Sequence, residues 1–215
     1  MSSLGVRRRF AAVSLALAGS LVALSACSGA DDPDADAAQS PSSSVSPSAS
    51  PTPTPTPSAT YKPASAEGPA ENVPLPVMPE EAKVESKEGL IAFARYWYEL
   101  VNYGYETGDV EPVKAFTLDP CRDCSRYLQV VSDGYVDTDW IVGGQITVHG
   151  LDSEYVLTDT GRYQVLVQFS QDPLELRGPE GRVYKEHPGS ERPVVQLLEA
   201  RWTDGTWVVE ELVSM

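Results

Sequence analysis

Hydrophobic positions change their spacing twice along this chain, dividing it into three kinds of segment. Residues 10–24 form one mostly apolar run behind Arg7, Arg8 and Arg9, diluted by Ser14, Gly19 and Ser20 and too short for a comfortable membrane span. From Ser28 to about Pro79 the periodicity disappears. This stretch is rich in Ser, Pro, Ala, Thr and Asp, with Pro51, Pro53, Pro55 and Pro57 alternating with threonines. Proline fixes φ and donates no backbone hydrogen bond, so the segment favours solvated polyproline II. Beyond it a helical period begins. Leu90, Phe93, Ala94, Trp97, Val101 and Tyr105 recur at three- and four-residue spacing, with Ser86 as N-cap, Glu88 in the first turn and Gly108 as stop. Asp109 caps a second, short helix with Pro112 in its first turn, running to about Phe116. Asp119-Pro120 opens a third, lasting to about Asp133 before Gly134.

After Trp140 the period becomes two. Ile146 and Val148 share one face of a strand, with Gln145, Thr147 and His149 on the other, and Tyr163, Val165, Val167 and Phe169 alternate in a second. Gly178-Pro179-Glu180-Gly181 is a turn between short extended arms at residues 174–177 and 182–185. Residues 194–202 and 207–213 are the last two strands, joined by Thr203-Asp204-Gly205-Thr206; Asp-Gly between such runs is a strong hairpin signal. Helices followed by an antiparallel sheet make an α+β layout. The domain plan is residues 1–26, 27–79 and 80–215, with one folded domain in the last.

The start of the chain resembles a bacterial lipoprotein signal. Its apolar run ends at Leu24-Ser25-Ala26-Cys27, which is similar to the lipobox cut by the lipoprotein signal peptidase. The resemblance implies a diacylglyceryl group on Cys27, which becomes the first residue of the mature chain, anchored by fatty acyl chains such as palmitate to the outer face of the cell membrane. A signal anchor fits less well with the small residues crowding the end of the run, and an ordinary secretory site leaves Cys27 without a role. Arg7-Arg8-Arg9-Phe10 also fits a loose twin-arginine pattern, but Val6 stands where a polar residue is expected, so general export is favoured. The Pro-rich stretch then reads as a semi-rigid stalk: at about 3.1 Å per residue, residues 41–63 reach about 70 Å. A Pro-rich ligand for a partner domain and a glycosylated stalk are the alternatives.

Charge narrows the partners. The 215 residues carry a net charge of −15; removing the signal removes three arginines and no acid, which takes it to −18. That excludes nucleic acid and electrostatic adhesion to anionic lipid, both of which need clustered Lys and Arg, so the lipid on Cys27 must hold the protein against mild repulsion. Two acyl chains suffice, at about 0.8 kcal/mol per buried methylene. The acidity reads as solubility: no Asp-x-Asp-x-Asp-Gly calcium loop is present, and Asp31-Asp32-Pro33-Asp34 lies in the stretch without periodicity.

Three groups of residues, Phe93-Ala94-Arg95-Tyr96-Trp97, Asn102-Tyr103-Gly104-Tyr105-Glu106-Thr107-Gly108-Asp109 and Cys121-Arg122-Asp123-Cys124, resemble an actinobacterial lipoprotein domain family of unknown function. The long aromatic helix, the Asp-capped short helix and the closing hairpin resemble the nuclear-transport-factor-2-like (SnoaL-like) cone. That resemblance implies helices packed on a curved antiparallel sheet, a pocket between them, and a homodimer formed through the exposed sheet face. It supplies no activity and no functional residues.

The sharpest motif of the folded part is Cys121-x-x-Cys124. With Cys27 lipidated, these two are an even pair in an oxidising compartment, which points to a structural disulfide that pins a helix start. If Asp119 is the cap, the cysteines occupy the second and fifth helical positions, where the helix N-terminus favours thiolate, so a redox dithiol is the alternative. Against it, helices rather than a strand precede the motif, and Asp119 and Asp123 oppose thiolate formation. A single CxxC gives zinc two ligands only, and His149 and His187 lie far away in sequence; no metal site and no cofactor are expected.

Tyr96, Trp97, Tyr103 and Tyr105 are the candidates for a pocket or contact. Phe93, Trp97 and Tyr105 share the buried stripe, whereas Tyr96 and Tyr103 lie off it and suit a surface contact. Support for catalysis is thin. His149 should face away from the apolar side, and His187 lies in a Glu186-His187-Pro188-Gly189 loop. Glu210 and Glu211 point to opposite faces, so one alone can turn inward, to meet Glu99 or Glu106 as a general base. No Gly-x-Ser-x-Gly elbow or phosphate loop is present. The reading is a cell-envelope lipoprotein whose extracytoplasmic domain binds a ligand or partner, or scaffolds, without catalytic residues. The alternatives are an isomerase- or dehydratase-like enzyme using the cone pocket and a CxxC thiol oxidoreductase.

Overall fold

A computed structural model describes residues 59–190 and 192–215; the signal, Cys27 and most of the Pro-rich stretch lie outside the described residues. The fold is α+β with antiparallel sheets. Its elements are helices α1 (Lys87–Thr107), α2 (Glu111–Lys114) and α3 (Arg122–Gly134), then strands β1 (Trp140–Gly143), β2 (Ile146–Asp152), β3 (Tyr163–Gln171), β4 (Leu174–Arg177), β5 (Val183–His187), β6 (Val194–Thr203) and β7 (Thr206–Ser214).

Helix α1 starts and stops where its local chemistry directs. Ser86 Oγ accepts a hydrogen bond from Gly89 N at 3.0 Å, satisfying one of the orphan donors of the first turn. Gly108 closes the helix at φ 78, with its N–H donating to Gly104 O, and the ring of Tyr135 packs where a Cβ would stand. Helix α2 starts one residue later than expected: Val110, not Asp109, is its N-cap, and Asp109 Oδ1 accepts from Glu111 N at 3.0 Å from just outside it. Helix α3 departs from the expectation: it begins at Arg122, with Cys121 as N-cap, and Asp119-Pro120 precedes it outside the helix. There Cys121 Sγ, not an Asp119 oxygen, accepts from a first-turn amide, that of Cys124.

Two antiparallel sheets replace the single curved one. One has the order β1-β4-β5 and the other β2-β3-β6-β7. The division falls at two adjacent breaks. Gly143 and Gly144, at φ 77 and 78, turn the chain between β1 and β2, while Asp172-Pro173 interrupts β3 and β4 beside them. The breaks are tied by Gly144 N to Pro173 O and Asp172 N to Gln145 O, both 2.9 Å. A Cβ on Gly143 would lie 2.2 Å from Pro173 O, so only glycine fits this corner. Asn102 of α1 serves as an extra rung here: its amide donates to Ile146 O and accepts from Ile146 N, at 2.9 and 2.8 Å.

Three single-residue bulges, at His149, Tyr184 and Glu210, bend the strands. The closing hairpin turns through Asp204 and Gly205, both at positive φ, as a two-residue Asp-Gly turn requires. The core lies between α1 and the four-stranded sheet, where Leu90, Phe93, Ala94, Trp97 and Val101 meet Val165, Val167, Leu198, Ala200, Trp207 and Val209. The buried indoles keep their N–H groups satisfied: Trp97 by Thr117 Oγ1, Trp207 by Val84 O and Trp140 by Ser65 O, all within 3.0 Å.

The folded part extends further toward the N-terminus than apolar spacing indicates. Residues 62–71, expected within the stalk, pair with themselves at Lys62–Glu71 and Ser65–Gly68 and receive the Trp140 N–H. Tyr61 donates its hydroxyl to the Glu106 carboxylate of α1, which pushes the phenol up to about 12. These ties use backbone groups and single polar contacts, which leave no hydrophobic period to read.

Candidate functional site

Where β3 and β5 finish and β6 begins, the interior opens into a cleft of about 310 Å³. Its wall on one side is α3, through Asp123, Arg126, Tyr127 and Val130; across from it stand Gln171, Leu174 and His187. Strand phase explains the polar floor. On β3 the inward positions Val165, Val167 and Phe169 continue to Gln171, and on β6 the inward series Ala200 and Leu198 continues to Gln196. Where the inward phase changes from apolar residues to glutamines, the packed core stops and the cleft starts.

Gln196 is 4 % exposed and is the hub of the floor. Its Oε1 accepts from Tyr98 Oη at 2.5 Å and from Tyr127 Oη at 3.3 Å. Gln171 Nε2 donates to Gly144 O at 3.1 Å and to Tyr105 Oη at 3.4 Å, leaving the Tyr105 hydroxyl proton directed to no acceptor among the described residues. Burial is the first cause raising all three phenols. Tyr105 is pushed up to about 12, and Tyr98 and Tyr127 stand well above the ordinary tyrosine value. These hydroxyls therefore stay protonated at physiological pH and act as neutral donors and acceptors.

The charged groups lie along the α3 wall. Asp123 is 8 % exposed; its Oδ2 accepts from Ser214 Oγ at 3.3 Å, and its Oδ1 is buried without a hydrogen bond. Arg126 Nη1 is 3.1 Å from that oxygen as an ion pair, on a side chain 69 % exposed. Asp172 and His187 complete the rim. The Cys121–Cys124 disulfide closes the first turn of α3 and so fixes the wall that carries Asp123, Arg126 and Tyr127. Both sulfurs belong to residues 1 % exposed, and thiol exchange requires access to the attacked sulfur.

Of the four aromatic candidates, Tyr105 lines the cleft. Trp97 is core, bonded to Thr117 and stacked edge-on to Tyr98 and Tyr127. Tyr96, expected at a surface contact, is 7 % exposed, because the chain following α2 covers a second side of α1 and sets Phe116 against its ring at 5.7 Å. Tyr103 is half-buried and lines a separate groove with Tyr61, Val73, Pro74 and Pro76. The general-base arrangement does not form. Glu210 is the bulge residue and pairs with Arg201 and Arg162, at 2.7 and 2.6 Å, while Glu106 holds Tyr61. His149 is exposed on its bulge, with its ring against Ser170 Oγ. His187, expected in a loop, ends β5 at the cleft rim.

Tyr127, Gln171, Gln196 and Asp123 are the site residues that sequence reasoning missed. Gln171 and Gln196 carried a signal, as single polar residues in the inward phase of otherwise apolar strands. Among the described residues no group of three or more His, Cys, Asp and Glu is arranged for a metal ion, and no helix is long and apolar enough to cross a membrane.

An α+β domain with a part-open cleft of mixed polar and apolar lining between its third helix and its sheets is the class this geometry defines. The chain belongs to DUF6318, a family of unknown function, whose family model matches residues 59–213. No curated protein matches it. Similar solved structures include the intermembrane space region of the chloroplast protein ARC6 (11 % identity, 61 % of this chain and 98 % of that one, TM-score 0.41). Others are a periplasmic fragment of TraM (10 %, 61 % and 98 %, TM-score 0.35) and a chain designated Rd1NTF2_05 (12 %, 57 % and 96 %, TM-score 0.31).

Proposed function

We propose that this chain is a cell-envelope lipoprotein, held at the outer face of the membrane by lipid on Cys27, whose domain works by binding a ligand or partner segment in the cleft. Residues 28–58 serve as the spacer. The observation that carries the binding role is the cleft floor: the phenols of Tyr105 and Tyr127 and the amides of Gln171 and Gln196, converging on one concave surface. Such groups orient and select a ligand by hydrogen bonding and exchange no protons with it near neutral pH. The lipobox supports the anchor.

A photo-crosslinking residue in place of His187, at the rim, tests the reading in living cells against the same residue in place of Leu157, exposed away from the cleft. Covalent adducts at position 187 and none at 157 are expected; adducts at neither position would refute cleft binding. The anchor is tested separately: Cys27→Ser should lose fatty-acid label and appear in the medium.

The scaffold form of the same proposal is pairing of two copies. Leu166, Leu197 and Val213 stand in one register row across β3, β6 and β7, with Leu166 and Val213 exposed. Leu166→Glu should then convert a dimer to a monomer in sedimentation; a monomeric parent protein would dismiss this form.

A further inference from the structure

Resting on the binding role of the cleft, we propose that its ligand is a saccharide, with the Asp123 carboxylate accepting a sugar hydroxyl and Arg126 and Tyr105 donating to its neighbours. The charges on the α3 wall exclude the simpler ions. A free anion would face the carboxylates of Asp123 and Asp172. A free cation would have to share Asp123 with Arg126, 3.1 Å away, and with Arg122 at 4.0 Å. What fits between a carboxylate and a guanidinium set side by side is a neutral group that both donates and accepts. Adjacent hydroxyls on a sugar ring do this: one gives its proton to the carboxylate while its neighbour takes one from the guanidinium.

The rest of the cleft matches that chemistry. Asp123 lines the cleft with acceptor capacity left over: its Oδ1 is covered and ion-paired to Arg126 at 3.1 Å, while its Oδ2 takes a single hydrogen bond, from Ser214 at 3.3 Å. The Tyr105 hydroxyl proton is unspent, and Tyr127 lines the cleft from the α3 wall. Val130, Leu174 and Pro188 give the apolar patches that the C–H faces of a sugar cover. At about 310 Å³ the cleft is at the small end of ligand sites, the scale of a short oligosaccharide end and not of a long chain.

Methyl-labelled NMR of the full exported chain carrying Cys27→Ser gives the test. The methyls of Val130 and Leu174 report the cleft, and those of Val156 and Leu157 report exposed surface elsewhere. Three probes are titrated: tri-N-acetylchitotriose, choline and capped trialanine. The expected result is saturable shifts at Val130 and Leu174 with the oligosaccharide, weakened at least about tenfold by Asp123→Asn and unchanged by Asp152→Asn. Arg126→Gln, on an exposed side chain whose loss leaves the core intact, should also weaken binding and serves if Asp123→Asn misfolds. Shifts with choline or trialanine but not with the sugar would overturn the saccharide assignment and leave the binding role standing. So would sugar binding indifferent to both substitutions. Silence of the cleft methyls with all three probes would overturn the saccharide assignment, and the crosslinking at position 187 decides the binding role independently.

Discussion

Around Trp207 the space between helix and sheet is filled; around Gln196, on the same sheet, it is left open. At the filled end aromatic rings pack edge to face: Trp202 and Tyr163 meet Trp207 at 5.1 and 5.5 Å, and Phe93 meets Phe116 at 6.1 Å. At the open end the rings belong to Tyr98, Tyr105 and Tyr127, and their hydroxyls end on glutamine side chains. The same helix, α1, supplies rings to both. The difference is that Trp207 meets its polar need at a backbone carbonyl, Val84 O, whereas the hydroxyls of Tyr98 and Tyr127 converge on the side chain of Gln196. Polar partners in the inward strand phase halt close packing. One end therefore holds the domain together, and the other is free to take a ligand.

The sharpest way to break this comparison is to cut a side chain from the filled end. Trp207→Ala should cost about 3–5 kcal/mol in urea unfolding, since it empties a fully buried ring site and orphans Val84 O. A cost near that of a cleft substitution would mean the two ends are not divided as described. Replacing Cys121 and Cys124 together by serine should cost about 2 kcal/mol on the loop-entropy model, because the closed loop is short. Hydrogen exchange in that variant should rise at the start of α3 and leave α1 protected.

At the open end, Tyr127→Phe should change stability by about 1 kcal/mol, the net worth of one hydrogen bond to Gln196. It has a second signature. Burial raises this phenol above its unfolded value of 10.0, so its contribution is complete below pH 10 and disappears as the pH rises through the folded value. The variant should lose less stability on alkaline titration than the parent. The smallest effect belongs to the sheet's outer face. Arg201, then Arg162, hold the Glu210 carboxyl below its ordinary value of 4.5, so the pair contributes above 4.5 and is lost as the pH falls through the lower folded value. Glu210→Gln should flatten the acid limb of the stability curve by about 1 kcal/mol or less, since the partners are partly solvated.

The regular elements were legible where a short stretch decides its own conformation. Ser86, Gly108 and Asp204-Gly205 each act within a few residues, and the structure places a cap, a stop and a turn where they stand. The start of α3 was misjudged because Asp119-Pro120 and Cys121 are both acceptable openings locally, and only the turn closed by Cys124 separates them. The division into two sheets was hidden because Gly143 and Pro173 become neighbours only once the strands pair. Seven elements contribute to the cleft, α1, α3 and β3 to β7, so no single window contains it. The burial of Tyr96 depends on where the chain beyond α2 returns, which helical spacing does not encode.

Glu210 is one residue more than the ladder needs. Before it, Trp207 and Val209 alternate into the core; after it, Leu212 takes the inward place that Glu211 would hold in an unbroken count. The last few residues of the chain thus keep their dry side dry by an offset of one. In this chain, an insertion of odd length between Val209 and Leu212 would exchange the wet and dry sides of β7, and one of even length would preserve them. The parity of that interval, more than its length, decides whether the chain's end remains compatible with the fold.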